Sequence, residues 1–98
     1  MQISVKRSGG FAGIEEEVAT VDTEQLAAAS AERLERLVDE IGFFDLPASV
    51  SDGEGADRFR YEVTVAADGR RHTVTYTEEG GAETASVRRL VDTVTELA

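Results

Sequence analysis

Asp68-Gly69 sits between two runs of alternating side chains, Arg58 to Ala66 and Arg70 to Thr77. Few dipeptides restrict a chain more. The two-residue hairpin turn that matches strand twist needs positive φ at both central positions, which an Asp-Gly pair tolerates. A turn at Asp68-Gly69 sets Val65 against His72, Val63 against Val74 and Tyr61 against Tyr76, while Glu62 meets Thr75 and Arg60 meets Thr77. Apolar and polar sets fall on opposite faces. A one-residue slip would turn the valines to water and the glutamate inward, so the register is strongly specified. The chain is thereby committed to an antiparallel sheet with one apolar face, which other elements must cover.

The remaining segments supply that cover and extend the sheet. Gln2 to Arg7 alternates, with Ile3 and Val5 on one face and Gln2, Ser4 and Lys6 on the other. A second strand is predicted over Ile14 to Val21, where Glu15, Glu16 and Glu17 interrupt the pattern and point to a bulge or a charged, exposed edge. Ser8 to Gly13, SGGFAG, is then the loop of a first hairpin. Asp22 can cap a helix, with Gln25 three residues on and Val21 and Leu26 placed as a hydrophobic staple; Ser30 offers a later start. Leu26, Leu34, Leu37, Val38 and Ile41 make an apolar stripe, and Gly42 follows where a left-handed cap belongs. Phe43, Phe44 and Leu46 must pack beyond it, and Pro47 forbids further helix. Ser49 to Asp57 and Glu78 to Gly81 read as surface connections, and Val87, Leu90, Val91, Val94 and Leu97 recur at helical spacing. The expected fold is α+β: a single domain over residues 1–98 in the order strand-strand-helix-strand-strand-helix, a four-stranded antiparallel sheet with both helices on one face.

Bulk properties narrow the partners. A chain of 98 residues buries roughly two thirds of its unfolded surface, enough for one core and not for a second. Twenty acidic against ten basic residues give a net charge of -10, a field that repels phosphate backbones and anionic lipid alike. Neither nucleic acid nor membrane is expected as a partner. The absence of cysteine rules out disulfides, thiolate metal sites and a cysteine nucleophile. Met1 runs directly into the first strand pattern and no apolar run approaches membrane-spanning length. A cytoplasmic protein, monomeric when free, is the expectation.

Candidate catalytic groups are few. His72 has no second histidine or cysteine beside it to complete a zinc site, and no Gly-x-Ser-x-Gly elbow exists to recruit it; it reads as a strand histidine at the rim of the core. Asp52, Glu54 and Asp57 alternate with glycines but lack the spacing and closing glutamate of a calcium loop. Nothing apolar beside Glu15-Glu16-Glu17 would separate their pKa values for acid-base work. Arg70-Arg71 and Arg88-Arg89 are too few for a nucleic-acid patch at this net charge. Gly9-Gly10 lacks the lysine and following helix of a phosphate loop. No enzyme, cofactor or metal is expected.

What remains is one aromatic ring among three glycines in Arg7-Ser8-Gly9-Gly10-Phe11-Ala12-Gly13. That stretch, preceded by Ile3-Ser4-Val5 and combined with Asp57-Arg58-Phe59-Arg60-Tyr61 and Gly69-Arg70-Arg71-His72-Thr73-Val74, resembles the emfourin family over nearly the whole chain. The chain departs from that family in its acidic second strand and its alanine run, Ala27 to Ala29. The resemblance implies a small bacterial inhibitor of thermolysin-like zinc metalloproteases such as protealysin. It also implies that Arg7, Ser8, Gly9, Gly10, Phe11, Ala12 and Gly13 bind the protease, with Phe11 as an anchor in an apolar specificity pocket and glycines letting the backbone approach. The footprint would be completed by Ser49 to Asp57 or Glu78 to Gly81. Two alternatives stand beside it. Phe11 could fold back as a lid over Tyr61 or Phe59, and the chain could be a non-inhibitory interaction module using the outer sheet face of Arg58, Arg60, Glu62, Thr73 and Thr75.

Overall fold

The computed structural model describes residues 1–9, 15–49, 59–77 and 82–98. Four strands, β1 (Gln2–Gly9), β2 (Glu16–Asp22), β3 (Phe59–Ala67) and β4 (Arg70–Thr77), form one antiparallel sheet in the order β2-β1-β3-β4. Two helices, α1 (Ala28–Glu40) and α2 (Ala82–Leu97), complete the α+β fold.

The hairpin of β3 and β4 has the register that its turn chemistry requires. Val65 pairs with His72, Val63 with Val74, Tyr61 with Tyr76, Glu62 with Thr75 and Arg60 with Thr77. Asp68 and Gly69 both carry positive φ, 52° and 78°. Strand β1 is central and aligns Ile3 with Val65 and Val5 with Val63, so the inward apolar rows run across three strands. Ile3, Val5, Val63, Val65 and Val74 are fully buried. Against them pack Leu34, Leu37 and Val38 of α1 and Val87, Leu90, Val91 and Val94 of α2, which places both helices on the same face. Arg33 of α1 reaches Glu96 of α2 across the helix pair at 3.4 Å.

Three boundaries differ from the sequence reading. β1 runs past Arg7 through Ser8 and Gly9, because β3 offers it partners to the end: Ser8 pairs with Arg60 and Gly9 with Phe59. β2 begins at Glu16. Asp22 does cap a turn, its carboxylate accepting from Glu24 N at 3.0 Å, but the turn is a short 3₁₀ segment, Thr23–Gln25. α1 starts only at Ala28, with Ala27 as a cap that makes no side-chain bond, so Ser30 lies inside the helix. A single side-chain acceptor can bond a free N–H in the first turn of either helix type, so Asp22 does not specify which one follows, and the alanines beyond start a helix at low conformational cost. Gly42 sits at φ 63° just past Ile41, the C-cap of α1, as the sequence indicates, and leads into a second 3₁₀ segment, Phe43–Asp45.

The two edges of the sheet are finished differently. Along β4, the chain after Phe43–Asp45 runs as a strap: Thr75 N–H and Oγ1 both donate to the Ala48 carbonyl at 2.8 and 3.0 Å, and Ser49 bridges Thr75 in parallel. Along β2, register shifts between Val5↔Ala19 and Lys6↔Glu17, leaving Val18 as the extra residue of a bulge. Both the bulge and the charged edge expected of this strand are present. Val18 is 36% exposed while Ala19 and Val21 remain buried. A bulge and a row of carboxylates each hinder another chain from adding to an edge.

Candidate functional site

Strand direction gathers three connections at one end of the sheet. β1 ends at Gly9, beside the start of β3 at Phe59; β4 ends at Thr77, beside Arg60; and β2 begins at Glu16, opposite Arg7. The connections 10–14, 50–58 and 78–81 therefore depart from, or arrive at, neighbouring strand ends. The Asp68-Gly69 turn occupies the opposite end.

Of the residues implicated in protease binding, Arg7, Ser8 and Gly9 are in β1. Ser8 and Gly9 are thus strand residues, where the sequence reading had them in the loop. Gly9, at the last pair of the β1–β3 ladder, has φ 98°, a conformation that L side chains rarely adopt. Gly10, Phe11, Ala12 and Gly13 lie outside the described residues. So do Asp52, Glu54 and Asp57, and Glu78 to Gly81.

Beneath this end the inward face changes from aliphatic to aromatic. Tyr61 and Tyr76 stack with ring centroids 5.1 Å apart and planes at 13°. Tyr76 is 3% exposed, Tyr61 is partly buried, and the pair abuts Arg88, Val91 and Asp92 of α2 in a shallow depression. Arg7 lies on the same face, opposite Tyr61, and forms an ion pair with Glu16. Lys6, on the other face, approaches Glu15 at 3.7 Å. Glu17 accepts from the Thr20 hydroxyl.

His72 has a structural partner. Its Nε2 lies 2.7 Å from the Leu46 carbonyl, fixing the strap, and its ring meets Phe43 edge-on at 5.6 Å. That nitrogen donates, because a carbonyl can only accept. Among the described residues no three His, Cys, Asp or Glu side chains are grouped to hold a metal ion. The outer face of the sheet carries Arg60, Glu62, Thr64, Thr73 and Thr75, none of them buried, with Thr64 and Thr73 hydroxyls 2.8 Å apart. The strap was missed by sequence reasoning, since a backbone carbonyl acceptor leaves no mark on residue type; the pairing of Thr75 with Ala48 had no signal to find.

A sheet backed by two helices, with the strand ends that flank residues 10–14, 50–58 and 78–81 side by side, defines a small α+β domain. The chain belongs to the Emfourin family, whose model matches residues 5–95, nearly its full length. No curated protein and no solved structure matches it. Membership implies a protease-inhibitor role rather than an enzymatic one, with a metalloprotease as partner. Among the described residues no helix is long and apolar enough to cross a membrane.

Proposed function

We propose that this chain inhibits thermolysin-like zinc metalloproteases by placing the segment Ser8 to Gly13, the end of β1 and the residues that follow it, in the catalytic cleft. The family match carries the reading. It is supported by the register that brings Arg7, Ser8 and Gly9 to the same end as the strand termini flanking residues 50–58 and 78–81. A tight inhibitor interface buries on the order of 1,600 Å² in total, more than one short tip supplies, and neighbouring connections at that end can contribute the rest.

The mechanism needs no chemistry from the inhibitor. Such proteases favour a bulky apolar residue just after the scissile bond, and Phe11, between Gly10 and Ala12, meets that requirement. A segment anchored at both ends by β1 and β2 loses less freedom on docking than a free peptide does. If the bond before Phe11 is cut, the paired strands keep both new ends in place, so release is slow and religation competes. The metal in this encounter belongs to the protease. A cytoplasmic inhibitor of this kind would protect the cell from premature activity of its partner.

Purified protein mixed with a thermolysin-like protease and a small peptide substrate tests the proposal. Stoichiometric loss of hydrolysis is expected. Undiminished hydrolysis across several such proteases at large molar excess would sink it.

A further inference from the structure

The run Glu15-Glu16-Glu17 has no role in the inhibition outlined above, yet two of its members are tied across the first hairpin. Apolar pairing between β1 and β2 ends at Val5↔Ala19, where the bulge at Val18 interrupts the ladder. Only Lys6↔Glu17 and Arg7↔Glu16 lie between that bulge and the connection 10–14. Charge therefore holds the mouth of this hairpin.

Successive strand residues point to opposite faces. Arg7, in register with Tyr61, is on the helix side and meets Glu16; Lys6, in register with Glu62, is on the open side and reaches Glu15. One ion pair lies on each face. A tie on a single face would leave the strands free to twist about it, whereas ties on both faces resist splaying and twisting together.

We propose that Arg7–Glu16, reinforced by Lys6–Glu15, is a clamp that sets the spacing of Gly9 and Glu15, the ends from which residues 10–14 depart. Arg7 and Glu16 are thereby positioning residues for the inhibitory segment and not contacts to the protease. This assignment rests on the inhibitor reading and goes beyond it, giving the acidic run a function and moving Arg7 from the contact surface to its support. The side chains of the Arg7–Glu16 pair are 35% and 50% exposed. Ion pairs so exposed contribute little to global stability. Preorganisation acts instead on binding, because a segment already held in place has less freedom to lose.

The test compares wild type, Arg7→Gln, Glu16→Gln, Glu17→Gln and the reversed pair Arg7→Glu/Glu16→Arg, by inhibition of a thermolysin-like protease and by melting temperature. The clamp predicts about tenfold weaker inhibition for Arg7→Gln and Glu16→Gln with essentially unchanged melting temperature, and recovery of most of that loss in the reversed pair. It also predicts faster cleavage before Phe11 in the two weakened variants, read by mass spectrometry, and unaltered inhibition by Glu17→Gln. Four results overturn it: equal potency of all variants, a reversed pair as weak as the worse single variant, a Glu17→Gln loss as large as that of Glu16→Gln, or a melting temperature that falls in step with inhibition. A wild type that inhibits nothing removes the functional reading and the clamp with it, whereas an inhibitory wild type with unaffected variants removes the clamp alone.

Discussion

Strands β3 and β4 turn through Asp68 and Gly69 and stay in register from Ala67↔Arg70 to Arg60↔Thr77, while β1 and β2 lose register after Val5↔Ala19 and close on two charged pairs. Both hairpins belong to the same sheet and share its apolar face. They differ in what lies beyond the core. The second hairpin spends its length on inward valines and a stacked tyrosine pair, so its geometry is set by packing. The first gives up apolar pairing at its open end, where the segment proposed to enter the protease begins. A region proposed to meet another protein cannot also be consumed by its own core.

Substitutions that act on one hairpin and spare the other test that division. The largest effect is expected for Val63→Asp, which sets an unpaired carboxylate at a fully buried position of β3; it should cost more than about 4 kcal/mol and abolish the cooperative thermal transition. Next comes Phe11→Ala, expected to weaken inhibition by about 2 kcal/mol, roughly thirtyfold, with no change in melting temperature; Phe11→Asp should be worse, since the pocket would desolvate a charge. Equal potency of the two Phe11 variants and wild type would move the binding segment elsewhere. Gly69→Ala reverses the pattern. At φ 78° a Cβ meets no neighbouring atom but strains the backbone, so about 1 kcal/mol of stability should be lost in denaturant titration while inhibition is untouched. Smallest is Val18→Asp. At the exposed bulge the change made at Val63 should stay within about 0.5 kcal/mol, and a larger loss would mean that β2 is less separate from the core than its register implies.

Asp68-Gly69 and the flanking alternation are local signals, and each predicted pair of the second hairpin is present. The apolar stripes of α1 and α2 and the left-handed Gly42 were equally plain, because helical period and cap chemistry are written within a few residues of one another. His72 was read as a rim histidine and is one, held by the Leu46 carbonyl. The start of α1 was misplaced because Asp22 satisfies its turn in the same way whether an α-helix or a 3₁₀ segment follows. The end of β1 was set short, since Ser8 and Gly9 have little strand propensity of their own and are held by β3, some fifty residues away in sequence. For the site, the sequence indicated which segment bears the unusual residues and which family it resembles. It did not indicate that Arg7 and Glu16 would face one another, because that depends on the bulge at Val18.

Alternation, turn chemistry and helical period are properties of neighbouring residues, and they sufficed for the kinds and order of the main elements, while the family was legible only through the resemblance of particular residues. The strand order β2-β1-β3-β4, the strap over β4 and the gathering of three connections at one end depend on contacts between distant segments. Such contacts form through backbone groups that every residue carries, so no residue type announces them, and only the folded sheet decides where they fall.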